Sequence, residues 1–451
     1  MRWRPHPTRL LILGFAATIL AGGLVLALPI SGRESVRLLD ALFTATSAVC
    51  VTGLVVVDTG SAYSPFGQAV ILVLFQAGGL GIMTLSTAFV LMLGRRVSLG
   101  SRDAVQDTFA ASATLRIGPL LKQVVLWTLA IEALGTGLLF LAELQRLPPA
   151  PALWYAAFHS VSAFCNAGFG LRTDSFVTDR SHALIVLTLI GLIVLGGLGI
   201  TVLTEVGGKL RRRLRGVEVE PFSLHAKLAL GMTALLIGVG AVGFALLEQG
   251  NTLRGAAWSD QLLASLFAAV TPRTAGFNTV DYHQLTNATL YMTILLMMIG
   301  GCPGSAAGGI KATSFGVILA LARSRLRGES SVRLFNRSVP DDAVAKAIAL
   351  VTLAFSLVTA FVVMLTVTEL GGLPYPQTGG RFMALFFESV SAFGTVGLSM
   401  GATPTLTDAG KVLIMLLMFI GRLGPLTISV AIAQREPRAE LRYAEEPVMI
   451  G

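Results

Sequence analysis

The sequence predicts an all-α integral membrane protein of four tandem units around one axis. Each unit is a span, a short re-entrant helix and a second span, which gives eight transmembrane spans. An apolar composition, a phrase that recurs four times and basic residues between the repeats predict this fold. Of 451 residues, 54% are hydrophobic and 13% are charged, whereas soluble chains carry roughly 25% charged residues. Composition therefore excludes a soluble, disordered or nucleic-acid-binding chain, despite a net charge of +9.

The first apolar run, from Leu10 to Leu28, follows a basic N-terminal tail. Its length suits a bilayer core of about 30 Å. A cleaved signal peptide has a shorter apolar region and a small-residue cleavage site. We therefore expect a retained first span.

One short phrase recurs four times at similar intervals. Each copy is an amphipathic stretch that is too short to span, followed by a small-residue turn with one glycine. The four glycines are Gly53, Gly168, Gly276 and Gly397. A second echo follows each of them inside an apolar run: GGLGIMT, GGLGITV, GGCPGSAAGG and GRLGPLT. A long apolar run also precedes each phrase, so the repeat defines one structural unit.

Basic segments separate the units, which are predicted at residues 1–94, 95–208, 209–328 and 329–451. Unit one is followed by Arg95, Arg96 and Arg102, unit two by Lys209, Arg211, Arg212, Arg213 and Arg215, and unit three by Arg323, Arg325, Arg327, Arg333 and Arg337. Basic loop residues favour the cytoplasmic side. Both termini are therefore expected in the cytoplasm, and the short helices are expected to enter from outside.

A turn inside hydrocarbon is tolerated only where it lines a sheltered cavity. A helix that ends there directs its partial negative charge at the cavity, which favours a cation. Glycine allows backbone carbonyls to approach an axis and replace the hydration shell of an ion. A single such glycine more simply serves helix packing. Four in matching contexts favour one pore surrounded by the four units.

The predicted selectivity filter consists of four segments, each of which ends at one of the four glycines. Side chains differ between its segments while the glycine is constant, which suits coordination by backbone carbonyls and not by a carboxylate cage. The filter residues are Val51, Thr52, Gly53, Asn166, Ala167, Gly168, Thr274, Ala275, Gly276, Thr395, Val396 and Gly397. Asp58, Asp174 and Asp281 follow soon after and are expected either at the outer mouth or as ordinary loop acids.

These segments resemble the pore segments of the Trk/Ktr/HKT superfamily of potassium transporters. The resemblance rests on VCVTGLVVVDTG, FHSVSAFCNAGF, VTPRTAGFN, ESVSAFGTVGLS, IGGCPGSAAGGIKA and FIGRLGPLT. It covers nearly the whole chain and is closest to KtrB-like membrane subunits. It implies potassium uptake across the bacterial cytoplasmic membrane, with potassium as the filter ion, sodium stimulation and a homodimer. It also implies a cytoplasmic ring of KtrA-like RCK-domain subunits, which binds the regulatory nucleotide and gates the pore.

Unit three departs from the others because its second span contains GGCPGSAAGG. Glycine costs about 1 kcal/mol and proline about 3 kcal/mol in a helix interior. We therefore expect this span to break and to form a movable barrier beneath the filter, as the family's intramembrane loop does. A packed kink without a gating role is the alternative. The predicted gate residues are Gly301, Cys302, Pro303, Gly304, Ser305, Ala306, Ala307, Gly308 and Arg422.

Three basic residues lie within or beside apolar segments. Arg422 replaces the second glycine of GGLG and is expected to donate to carbonyls of the broken segment. A snorkelling side chain, or a structural pair with Glu205 or Glu388, is the alternative. Lys311 fits the same role or a snorkelling side chain. Arg273 is expected to pack behind the filter against an acid such as Glu388.

Residues that carry enzyme chemistry are sparse. No cluster of His, Asp or Glu has nucleophile or metal spacing, and Cys50, Cys165 and Cys302 have no paired spacing. The sequence therefore predicts no enzyme, no transition metal and no covalent cofactor. A secondary transporter of another cation or solute stays the alternative. The basic cytoplasmic face is expected to bind the regulatory ring or anionic membrane lipid, not nucleic acid.

Overall fold

The computed structural model describes residues 7–96 and 117–424. Arg2, Arg4, Arg102 and the C-terminal tail at 431–451, which is expected to contribute to the cytoplasmic face, lie outside these ranges. The described helices are α1 (Pro7–Leu26), α2 (Leu38–Val49), α3 (Thr59–Ala62), α4 (Pro65–Arg96), α5 (Ile117–Glu143), α6 (Pro149–Phe164), α7 (Ala183–Leu198), α8 (Ile200–Leu214), α9 (Leu224–Glu248), α10 (Trp258–Val270), α11 (Asn287–Met298), α12 (Ala312–Leu326), α13 (Asp341–Leu370), α14 (Arg381–Gly394) and α15 (Asp408–Leu423). Two strands, β1 (Arg333–Leu334) and β2 (Arg337–Ser338), form an antiparallel hairpin.

The repeat of the sequence is visible in the order of these helices. A long helix comes first (α1, α5, α9 and α13), a short one second (α2, α6, α10 and α14), and a third follows the glycine turn (α4, α7, α11 and α15). Side-chain caps begin several of them, since Ser223 accepts from Ala226 N, Thr286 from Thr289 N and Thr407 from Gly410 N. The short helices bury most of their residues, so they form the centre of the molecule.

Three described helical segments are long and apolar enough to cross a membrane: Lys122–Glu143, Leu224–Glu248 and Asp341–Leu370. Helices α7 and α8 pass the same test as one broken span, bent by 107°. Shorter apolar helical segments are Ile12–Leu26, Leu38–Val49, Pro65–Gly81 and Asn287–Met298. The fold is thus that of an apolar helical protein, and the eight spans stay a prediction.

The helix that follows the glycine turn is broken in units two and three. The break predicted in unit three is confirmed, because α11 ends at Met298 and helix resumes only at Ala312. A second break, which the sequence did not predict, separates α7 from α8 at Gly199, where φ is 86°. Helix α8 then runs to Leu214, so the unit boundary set at residue 208 falls inside it.

Units one and four meet at a seam held by ion pairs. Lys411 Nζ lies 2.7 Å from Asp40 Oδ1, and the two side chains are only 7% and 10% exposed. Beside them, Arg37 pairs with Asp408 at 2.9 Å on the surface. The hydrogen bond and charge of Asp408 raise the pKa of Arg37. The chain therefore closes on itself through contacts between its first and last units.

Candidate functional site

The four predicted filter glycines meet in one closed ring. A Cβ added to Gly53 would lie 2.5 Å from the carbonyl oxygen of Ala167, and a Cβ added to Gly168 would lie 3.0 Å from the carbonyl oxygen of Ala275. A Cβ added to Gly276 would lie 2.5 Å from the carbonyl oxygen of Val396. A Cβ added to Gly397 would overlap the carbonyl oxygen of Thr52. Each glycine therefore faces the backbone of the next unit, and the last unit returns to the first. The approach is so close that only glycine fits at these positions.

The residue two positions before each glycine also has a left-handed backbone. The φ angles are 54° at Val51, 57° at Asn166, 74° at Thr274 and 49° at Thr395, against 72° to 92° at the glycines. Positive φ is unusual for a residue other than glycine, and for a β-branched one it is an outlier. Such strain costs about 1–3 kcal/mol and clusters at ligand sites. Its recurrence in four segments marks one shared conformation, in which left-handed residues alternate and successive carbonyls can turn to the same side.

A hydroxyl near the end of each short helix braces the segment that follows it. Ser47 Oγ accepts from Gly53 N at 3.0 Å, and Ser391 Oγ accepts from Gly397 N at 3.1 Å. Ser162 Oγ donates to Phe169 O at 2.9 Å, and Thr271 Oγ1 donates to Phe277 O. Sequence reasoning missed these four residues. The sequence does contain a serine or threonine shortly before each filter glycine, and this pattern could have identified them.

The non-helical segment 299–311 of unit three lies against the ring. A Cβ on Gly308 would overlap Thr395 Oγ1, and one on Gly300 would lie 3.5 Å from Thr274 Cγ2. Part of its polar backbone is paired within the protein, since Gly300 N donates to Ile310 O and Cys302 N to Gly197 O. Of the predicted gate residues, Gly308 lies against Thr395 of the filter, whereas Pro303 lies against Gly199 and Cys302 against Ala229 on α9. Their role as a gate stays a prediction.

Arg422 links this segment to unit one. Its Nη1 donates to Ala306 O, and its Nη2 donates to Gly78 O at 3.0 Å. The predicted hydrogen bond to a carbonyl of the broken segment is confirmed. Arg422 is 3% exposed and forms no salt bridge among residues 7–96 and 117–424. Lys311 donates to Ala307 O at 2.6 Å, so two cations hold neighbouring carbonyls.

The expected pair of Arg273 with Glu388 is wrong. Arg273 is buried and its Nη2 donates to Thr233 Oγ1 on α9 at 3.0 Å. Glu388 is occupied by four donors from its own unit. The guanidinium is thus directed at α9, and its Nε has no hydrogen-bond partner among the described residues.

The three acids that follow the filter serve local turns. Asp58 accepts from Ser61, Asp174 from Thr178 and Asp281 from His283. Their position at an outer mouth stays a prediction. Within the described ranges, no group of three or more His, Cys, Asp or Glu side chains gathers to hold a metal ion.

Comparison with known proteins shows the family of this chain. The TrkH family model, described as a cation transport protein, matches residues 10–442. The chain belongs to the TrkH family of cation transport proteins. This TrkH-family chain is 38% identical to the Ktr system potassium uptake protein B of Bacillus subtilis over 100% of its length and 98% of the relative's. It is 37% identical to the potassium/sodium uptake protein NtpJ of Enterococcus hirae, over 100% of this chain and 98% of that relative.

A solved structure shares the fold. The potassium transporter TrkH of Vibrio parahaemolyticus superposes with a TM-score of 0.75, covering 96% of this chain and 87% of that one. The identity is 18%, so the likeness concerns the fold alone. The described helices of this chain therefore share the arrangement of that structure.

Proposed function

We propose that this protein takes up potassium ions across the bacterial cytoplasmic membrane through the ring of Gly53, Gly168, Gly276 and Gly397. The closed ring of four backbone segments with matched left-handed residues carries the proposal. Carbonyls of four segments around one axis can replace the hydration shell of a dehydrated cation. The short helices end at this ring, where their dipoles favour a cation. Relatives named as potassium uptake proteins at 36–38% identity support potassium as the transported ion.

In the proposed architecture, the four units at 1–94, 95–208, 209–328 and 329–451 together contribute eight spans to one pore. Both termini lie in the cytoplasm. The orientation is supported by the basic segments between units, of which Arg211, Arg212, Arg213 and Arg215 are exposed.

The segment 301–308 and Arg422 form the proposed gate. Gly308 of this segment lies against Thr395, and the adjoining Gly300 lies near Thr274, so the segment would block the path of an ion at one end of the filter. The guanidinium of Arg422 fastens it to unit one and adds positive charge below the filter. Opening would require these hydrogen bonds to break.

The proposed assembly is a homodimer that binds a cytoplasmic ring of KtrA-like RCK-domain subunits, and the nucleotide binds to that ring. Relatives named as Ktr system proteins B and D support a multi-component system. Helix α12 directly follows the gate segment and ends beside the exposed Arg323, Arg325 and Arg327. A partner that binds there would act on the gate through one continuous helix.

Rubidium uptake into cells that lack other potassium systems tests the proposal. Cells that express the chain together with a ring subunit should accumulate rubidium, potassium should compete, and the sodium concentration should be varied in parallel. Uptake no greater than in empty-vector cells, with the protein present in the membrane, would overturn the proposal.

A further inference from the structure

Glu388 is a buried carboxylate beside the filter that none of the roles above uses. It lies on α14 with no exposed surface. Its Oε1 accepts from Met400 N at 3.0 Å, from Ala402 N at 3.3 Å and from Ser399 Oγ. Its Oε2 accepts from Thr403 Oγ1 at 2.6 Å. All four donors belong to the segment that continues from the filter glycine Gly397.

The hydrogen bonds suit an ionised carboxylate. The two backbone N–H groups can only donate, so the oxygen that faces them accepts, and two hydroxyls complete the set. No Lys, Arg or His side chain pairs with Glu388 in the part of the chain that the structure describes. When the carboxylate is ionised, these dipoles stabilise its negative charge, which no neighbouring cation among the described residues neutralises.

His159 holds the corresponding place in unit two. It lies on α6, three residues before the bracing Ser162, as Glu388 lies three residues before Ser391. Its Nε2 accepts from Leu171 N at 3.2 Å, and its Nδ1 donates to Tyr155 O at 2.8 Å. The imidazole of His159 is therefore neutral and accepts at Nε2. Protonation of Nε2 would replace this acceptor with a donor.

The other two units lack this contact. Ala268 takes the corresponding place in unit three and has no polar group. In unit one, Thr44 bonds to Tyr63 Oη at 3.1 Å instead of to the backbone after the glycine. Because the ring runs in the order one, two, three, four, units two and four face each other. His159 and Glu388 thus anchor the segments that follow the filter glycines in the two opposite units, two and four.

We infer that His159 and Glu388 are positioning residues that fix the segments following Gly168 and Gly397, and that the Glu388 charge raises cation affinity at that end of the filter. The inference rests on the proposed potassium function and assigns a role to residues outside the filter itself. A fixed negative charge near a narrow entrance concentrates cations there. Fixed backbone positions at the same place keep the carbonyl geometry that discriminates between cations.

Three substitutions separate the charge from the positioning. Glu388→Gln keeps the size and one acceptor but removes the charge, so the half-saturating potassium concentration should rise about tenfold with maximal uptake retained. Thr403→Ala keeps the charge and removes a donor, so the potassium affinity should change less. His159→Leu should lower the preference for potassium over sodium, whereas His159→Gln, whose oxygen can accept from Leu171 N, should restore it.

Ser389→Ala is the matched control, because this buried neighbour of Glu388 only donates to Leu385 O within its own helix. Potassium-dependent thermal stabilisation of the purified protein gives a readout independent of uptake. Glu388→Gln and His159→Leu proteins that behave like Ser389→Ala in both assays would overturn the inference alone. A wild-type protein that potassium neither stabilises nor passes through would overturn the proposed function and the inference with it.

Discussion

Gly397 of the last unit and Gly53 of the first are in direct backbone contact, since a Cβ on Gly397 would lie 3.1 Å from the Cα of Gly53 and would overlap the carbonyl oxygen of Thr52. The two residues are separated by almost the whole chain. Their contact closes the ring and leaves no room for a side chain at Gly397. The properties of the filter should therefore depend on all four units together.

Replacing Gly397 by Ser or Ala should lower the preference for potassium over sodium. The new Cβ displaces the carbonyl of Thr52, and a change of about 1.4 kcal/mol in the balance between the two ions is a tenfold change in preference. Gly53→Ser should act in the same way. Competition of sodium with rubidium uptake measures the preference.

Gly216→Ala is the control for this substitution. Gly216 has a comparable φ of 69°, but no atom lies within 4 Å of a Cβ placed there, so it reproduces the backbone strain without the displaced carbonyl. Equal ion preferences for the Gly397 and Gly216 variants would refute the filter assignment.

Arg422→Ala should raise ion flux in the absence of a cytoplasmic partner. The change removes two hydrogen bonds from a charged donor, each worth about 1.5–3 kcal/mol, so the gate segment is released from unit one. Deletion of residues 303–307 should also raise ion flux. Flux into proteoliposomes that contain only this chain measures the effect.

Arg422→Lys serves as the comparison, because it keeps the charge but cannot bridge Ala306 O and Gly78 O as a planar guanidinium does. An intermediate flux would separate the contribution of charge from that of geometry. Unchanged or reduced flux in well-folded Arg422→Ala protein would leave the segment with a structural role only.

Asp40→Asn should lower the thermal stability of the protein. Lys411 would keep a buried ammonium without its partner, and breaking one side of a buried pair costs about 3–5 kcal/mol. Asp408→Asn, which removes only the exposed partner of Arg37, should leave the unfolding midpoint close to that of the wild type. Equal midpoints for the two variants in detergent would show that the seam does not depend on the buried pair.

Reversing the charge of Arg323, Arg325 and Arg327 to Glu should weaken binding of the cytoplasmic ring and remove nucleotide control, while ion selectivity stays unchanged. These side chains lie on and just beyond α12, away from the filter. Co-purification with a ring subunit and nucleotide-dependent flux measure the two effects. If the triple variant retains both, the ring docks elsewhere and the basic residues face lipid headgroups.

The sequence by itself determined the order of the elements, the four glycines and the break in unit three. These features are local: apolar length, a repeated phrase and a run of glycine, serine, alanine and proline act within one segment of chain. The contact of Arg422 with the broken segment was predicted too, because a charge within an apolar segment needs a polar partner.

Only the tertiary structure decided which segments touch. The left-handed backbones of Val51 and Thr395 are unfavourable locally and persist because neighbouring units hold them. The break at Gly199 has its reason in a partner from another unit, since a Cβ there would meet Pro303 O at 2.6 Å. Arg273 likewise donates to Thr233 and not to an acid, because the packing of remote segments places Thr233 beside it. Contacts between remote segments depend on the packing of the whole ring, and no short stretch of sequence specifies them.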